Sequence, residues 1–278
     1  MKPVAPIDTS PLFPALHAEL IGLLRGLDES AWERPTVAPG WRVRDVAAHL
    51  LDGDLRKLSA CRDGLALSGG QRPSGLEAVV RLVNSLNASG VDYARRLSPR
   101  LLIELLEVSG PKMSAFVASL PPDRESLFAV DWAGESVSAN WMDIGREYTE
   151  RWHHQMQIRD AVRAPGLLER RWLEPLLDIS VRALPRSYAN VDAADGTAVT
   201  LEVEGEPPMA WSLVRTTGEW RLFREAAERP AATVTGSPDE IWRLFYNALP
   251  VEEARRTLRT SGETGLAEPL LRARSVLV

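Results

Sequence analysis

The sequence predicts a mainly α protein in two parts, a helical bundle over residues 1–165 and a small α/β unit over residues 166–278. Three observations carry this expectation. Up to Val162 the apolar residues recur at helical spacing, interrupted by short runs of Pro, Gly and Ser. Beyond Thr197 the pattern changes to short β-prone segments separated by Gly and Pro turns. Between the two, Ala164-Pro165-Gly166 stops a helix and sets the boundary.

Residues 1–10 read as a leader; one Lys and no apolar run predict no signal peptide. Leu12 to Leu27 is a helix, with Leu16, Leu20, Leu23, Leu24 and Leu27 on one stripe. Asp28 to Gly40 is a loop broken by Pro35, Pro39 and Gly40. Val43 to about Asp63 is a second helix, striped by Val43, Val46, Ala47, Leu50 and Leu58. The linker SGGQRPSG (68–75) leads to a helix from Leu76 to about Leu97. Another runs from Leu101 to Leu120 and ends at Pro121-Pro122. SLFAVDWAGESVSAN reads as a short hairpin or extended loop, after which Ser138 or Asn140 caps a helix to about Val162. Leu167 to about Leu184 is one more helix, kinked or started at Pro175. Strands are expected at Thr197–Val203, Met209–Thr216, Glu219–Phe223 and Ala232–Thr235. Ser237 and Glu240 form a capping box, with Pro238 first in a helix that reaches Leu249. A short helix around Glu268 to Ala273 closes the chain.

A net charge of −5 and the lack of a dense Lys/Arg block argue against a nucleic-acid partner. No apolar run approaches the roughly 18 residues that a membrane span needs. The single cysteine, Cys61, allows no internal disulfide and fits a reducing cytoplasm. The expectation is a cytoplasmic globular protein acting on a small molecule. Tryptophans gathered near Trp41 and between Trp132 and Trp152 are candidate pocket walls.

The chemistry concentrates in Gly145 to Ala161, GREYTERWHHQMQIRDA. Glu150 and His154 lie one turn apart on one helix face, as two metal ligands must. A third ligand has to come from elsewhere. The histidines outside this helix are His17 and His49, and His49 sits in a second distinctive stretch, PGWRVRDVAAHLL. The functional reading joins His49, Glu150 and His154 around a metal. Arg146, Glu147 and Gln157 share that face. Arg146 is the catalytic candidate, placed to pair with a substrate carboxylate or, more plainly, with Glu150 as an i,i+4 ion pair. Periodicity alone favours a solvated surface, because most charged helix faces meet water. His49 lies on the flank of its own stripe, where a partly solvated histidine is also expected. His153, offset by about 100° from His154, is read as neighbouring or surface rather than ligating.

Two stretches together resemble the mycothiol-dependent maleylpyruvate isomerase family, a branch of the DinB-like metal-binding bundles. In LDESAWERPTVAPGWRVRDVAAHL, the residues Leu27, Trp32, Pro35, Thr36, Trp41, Val43, Asp45, His49 and Leu50 match its first motif. In DWAGESVSANWMDIGREYTERWHHQMQI, a Trp-x-Gly turn leads to a helix whose Glu150 and His154 match its second. The strand-rich tail is similar to the sterol-carrier-like domain that follows the bundle in many members. Two positions depart from the pattern. Arg42 replaces a Ser or Thr, so another group must satisfy the helix-start amides. Gln157 replaces an acid.

The resemblance implies a four-helix bundle with His49, Glu150 and His154 as metal ligands. Two imidazoles and a carboxylate suit Zn²⁺ first, with Ni²⁺ or Fe²⁺ as alternatives, and leave coordination positions open. It also implies mycothiol or a similar low-molecular-weight thiol as cosubstrate, ionised by the metal and so made nucleophilic. Addition to an activated double bond followed by loss of the thiol isomerises cis to trans; retention is S-transfer. The expected function is a metal- and thiol-dependent isomerase or S-transferase acting on a small electrophilic acid. The alternatives are a metal-dependent hydrolase of small amides or thiol conjugates, and a non-catalytic ligand-binding bundle. Cys61 is expected to be a small buried residue and not the nucleophile.

Overall fold

The structure is a computed structural model that describes residues 1–66 and 76–276. The SGGQRPSG segment read as a linker lies outside the described residues. The chain divides into two compact units, one comprising Asp8–Phe128 and Ala139–Leu167, the other Met1–Ile7, Ala129–Ser138 and Leu168–Val278. The main break follows the Pro165-Gly166 stop. Two short stretches, 1–7 and 129–138, group with the C-terminal residues, which a division at one chain position does not describe.

The first unit contains α1 (Phe13–Arg25), α2 (Glu29–Trp32), α3 (Val43–Lys57), α4 (Leu76–Ala94), α5 (Pro99–Ser119) and α6 (Asn140–Val162). Helices α1 and α3 each pack on both α5 and α6, a four-helix arrangement, and α4 lies along α3. The expected stripes meet in one core that includes Leu20, Leu24, Val46, Leu50, Leu102 and Ile158. Each such side chain contributes about 1.5–3 kcal/mol on burial. Helices α1 and α5 approach so closely that a Cβ on Gly110 would stand 2.2 Å from the His17 ring, which only glycine avoids.

Several local expectations are corrected. The Asp28 to Gly40 loop contains α2, because the Asp28 carboxylate accepts from Ala31 N at 2.8 Å and caps it. Neither Ser138 nor Asn140 caps α6. The cap position is Ala139, and the helix-start amides of Asn140 and Trp141 donate instead to the carbonyls of Arg124 (2.7 Å) and Pro122 (3.0 Å). Asn140, first inside the helix, turns its amide to the Pro121 carbonyl at 2.8 Å. No hairpin forms across SLFAVDWAGESVSAN. It holds a 3₁₀ turn at Asp131–Ala133, and Ser138 accepts from Val130 N at 2.8 Å.

The second unit contains α7 (Arg170–Ser180) and α8 (Leu184–Ser187), then β1 (Ala198–Val203), β2 (Met209–Thr216), β3 (Glu219–Phe223) and β4 (Ala232–Gly236). It ends with α9 (Pro238–Phe245), α10 (Val251–Thr257), β5 (Arg259–Gly262) and α11 (Thr264–Leu271). The sheet order is β3-β2-β1-β4-β5, antiparallel except for β1 against β4. Pro175 lies inside α7, and the Ser237–Glu240 capping box opens α9 as expected. That helix stops at Phe245 rather than Leu249, close to a left-handed Asn247 (φ 57°). The strand β5 escaped the sequence pattern because all four of its residues are exposed and none alternates inward. Among the described residues no helix is long and apolar enough to cross a membrane.

Candidate metal centre

The centre is built by α3 and α6. Arg42 precedes α3, and a guanidinium accepts no hydrogen bond, so it cannot cap a helix. Its side chain pairs with Glu33 instead. Asp45 supplies what is missing. One carboxylate oxygen accepts from Arg42 N at 3.0 Å, and the other takes Arg95 Nε at 3.0 Å. Val43 N donates to the Arg34 carbonyl at 3.0 Å, so the start of α3 is closed by these neighbours. His49 follows one turn after Asp45.

On α6 the polar face is largely covered, although the Glu150 side chain keeps 30% of its exposure. Asp143, His154 and Gln157 are 3, 8 and 8% exposed, which overturns the expectation from periodicity: α3 packs against α6. There His49, Glu150 and His154 come together, each offering a ligand atom within 4.8 Å of the others. His154 Nε2 lies 3.3 Å from Glu150 Oε2. The His49 and His154 rings stand edge to face, 4.6 Å between centroids. Trp41 lies 5.0 Å from the His49 ring and stacks 6.4 Å from that of His154, a wall on one side. Trp152, by contrast, is plain core. His153 is not at the surface. It is buried, with its ring 4.0 Å from that of His154 and its Nδ1 2.9 Å from the Thr149 carbonyl.

The charges suit a cation. Burial, aided by His154, holds His49 well below its ordinary pKa and so keeps it neutral. Burial likewise pushes His153 down to about 3. For Glu150, burial acts upward, but the hydrogen bond with His154 and the nearby positive charge of Arg146 outweigh it and hold the carboxylate ionised. His49 Nδ1 is buried with no hydrogen-bond partner among the described residues. Two imidazoles, one carboxylate and an orphaned ring nitrogen are a donor set that fits a divalent ion.

Arg146 is not paired with Glu150. Its Nη2 donates to Asp143 Oδ1 at 2.8 Å and to Glu147 Oε1 at 2.6 Å. Lys57 Nζ joins the same carboxylates, at 2.5 Å from Asp143 and 3.4 Å from Glu147. Sequence reasoning missed Lys57 because a lysine in the last turn of a helix reads as surface. Its one signal is the spacing from His49, eight residues on and again near the same face of α3.

The four-helix arrangement thus gathers two histidines and a glutamate from two helices, a group that could hold a metal ion. The comparisons with known proteins place it further. The mycothiol maleylpyruvate isomerase N-terminal domain matches residues 13–159, and the chain belongs to that family. Two curated relatives from strains of Mycobacterium tuberculosis, both described as uncharacterised proteins, are 27% identical over 162 residues. That match covers 56% of this chain and only 58% of the length of each relative. A crystal structure of the mycothiol-dependent maleylpyruvate isomerase, in a histidine-to-alanine variant, is 16% identical with a TM-score of 0.54, covering 91% of this chain and 92% of that one. A second structure of that isomerase is 17% identical with a TM-score of 0.52, covering 84 and 86%. At these identities the likeness is one of fold.

Proposed function

We propose that the chain is a cytoplasmic, divalent-metal-dependent enzyme using mycothiol or a similar low-molecular-weight thiol for cis–trans isomerisation of, or S-transfer to, a small electrophilic acid. One observation carries this reading: His49, Glu150 and His154 each offer a ligand atom within 4.8 Å of the others. Family membership supports the thiol and the substrate class. In this reading residues 1–165 are the metal-binding domain and 166–278 a sterol-carrier-like domain. Zn²⁺ is the first choice of ion, with Ni²⁺ or Fe²⁺ next. A bound ion supplies Lewis-acid activation of a thiol near neutral pH.

The chain's own residues do the rest. Half-buried His49 is held in the neutral form that can ligate, and Glu150 brings an ionised carboxylate. Trp41 keeps water from one side of both rings. Burial pushes the Cys61 thiol up to about 11, so it is a poor nucleophile at neutral pH and leaves that role to a small thiol. With its guanidinium held by two carboxylates, Arg146 acts in this proposal by helping to keep Glu150 anionic. Contact with a substrate carboxylate would require it to leave one of them.

Metal analysis of untagged protein tests the centre. About one equivalent of divalent ion, lost in His49→Ala, is expected; metal-free wild type under metal-replete purification would sink the reading. Turnover of a maleyl-type acid with and without mycothiol tests the reaction. An unchanged rate without thiol would shift the assignment to a metal-dependent hydrolase, and metal binding without turnover to a ligand-binding bundle.

A further inference from the structure

We propose that the outer face of α5 is the contact surface of a weak, two-fold symmetric homodimer. The α5 helices of two copies pack antiparallel, and each Lys112 is set against the partner's Glu104. The inference stands apart from the metal reading, since α5 carries none of His49, Glu150 and His154.

The inner side of α5 is filled by Leu102, Leu106, Met113 and Val117, all buried. On the outer side Leu101, Leu105 and Val108 are 39, 37 and 56% exposed. Their spacing is four then three, and a further four reaches Lys112. That is the 3.5-residue repeat of a seam between two helices. Elsewhere among the described residues, exposed large apolar side chains on helices occur singly, as Leu55 and Tyr93 do, and need no partner.

Lys112 settles what covers the seam. It is exposed and makes no ion pair among the described residues. In a parallel pair, equivalent positions face each other, and Lys112 would meet the partner's Lys112, like charges in an apolar seam. In an antiparallel pair the order is reversed. Leu105 then meets the partner's Val108, and Leu101 lies under the alkyl stem of the partner's Lys112. The ammonium reaches Glu104 at the edge of the seam. That carboxylate already takes Arg100 Nε at 2.9 Å and has room for a second donor. The two-fold axis passes between the levels of Leu106 and Glu107, so every contact is made twice and the surface closes on itself. Within one chain, Lys112 and Glu104 are eight residues apart, roughly 12 Å along the helix, and cannot pair. The seam from Leu101 to Lys112 is short, below the roughly 1,000 Å² at which stable interfaces begin, so the dimer dissociates in the micromolar range or above.

Sedimentation velocity of the untagged full chain between about 5 and 500 µM tests the surface. The weight-average mass should rise with concentration from the chain's 30.7 kDa toward twice that value. A monomer throughout would overturn the proposal. Val108→Glu should stay monomeric with the thermal midpoint and far-UV circular dichroism kept; a dimer that survives this change overturns the proposal equally. The charge pair tests the orientation. Glu104→Lys and Lys112→Glu should each raise the dimer Kd by about 3–10-fold, and the double variant should return it to within about twofold of wild type. Since the two residues cannot pair within one chain, such rescue can only come from between copies, and its absence would overturn the antiparallel pairing.

Discussion

Two polar clusters occupy successive turns of α6 and are satisfied in different ways. In the first, Asp143 and Glu147 meet Lys57 and Arg146, two anions against two cations, each with a partner at hydrogen-bond or ion-pair distance. In the second, Glu150, His153, His154 and Gln157 meet His49, one carboxylate among imidazoles of which His49 and His153 are held neutral by burial, with a His49 ring nitrogen unpartnered. Both draw a residue from α3, which packs against α6, so their place in the fold does not separate them. Charge closure does. A buried cluster that balances itself holds the helices together; one that keeps an unmatched anion and converging lone pairs is built for a cation from outside.

The largest expected effect is on the balanced cluster. Lys57→Ala leaves an excess anion under cover and should cost about 3–5 kcal/mol in chemical denaturation. A loss below about 1 kcal/mol would mean that the cluster is wetter than its exposure implies and would break the comparison. The reverse is expected of the histidine cluster. His49→Ala should leave the metal-free protein nearly as stable while weakening Zn²⁺ binding by more than about 100-fold, since removing a ligand exceeds the cost of disturbing its support. Isothermal titration beside denaturation of the same samples reads both, and equal destabilisation by the two substitutions would erase the distinction.

A pH series sharpens it further. Burial pushes the Glu147 pKa up, but Arg146 and Lys57 outweigh it and hold the value below its ordinary 4.5. A depressed carboxylate contributes stability that is present above its ordinary pKa and lost as pH falls through the folded one. Urea midpoints between about pH 6 and pH 3 should therefore fall more steeply in wild type than in Glu147→Gln. The smallest effect concerns Cys61. With its thiol pushed to about 11, alkylation by iodoacetamide at neutral pH should be slow and should quicken only in alkali. Rapid labelling at pH 7 would point to a thiolate that the balanced cluster does not hold off.

Much of the bundle was legible because each helix repeats its apolar stripe and ends at Pro or Gly. The capping box at Ser237 was equally plain, being a contact over three residues. What stayed hidden depends on partners distant in sequence. The cap of α6 comes from carbonyls at 122 and 124, and no side-chain pattern announces a carbonyl. Strand β5 is held by its pairing with β4 and carries no inward face to betray it. At the candidate site, the Glu150–His154 pair is a matter of helix spacing and could be read directly. That the polar face of α6 is covered could not, because its composition is that of a surface. His49 was supplied by the two motifs together, and the pairing of Lys57 with Asp143 joins residues too far apart in sequence for any local pattern to predict.

Asp45 gives the site a point of control away from its ligands. It decides at which residue α3 begins, by closing the Arg42 amide, and Arg95 keeps its carboxylate in place. A helix that started one residue earlier or later would carry His49 round by about 100° relative to α6, more than a quarter turn. The aim of that imidazole is in this sense a matter of phase, set one turn upstream. Drift in the α3 start would therefore misalign the centre with all three ligands still present, a failure invisible to any inspection of the ligands alone.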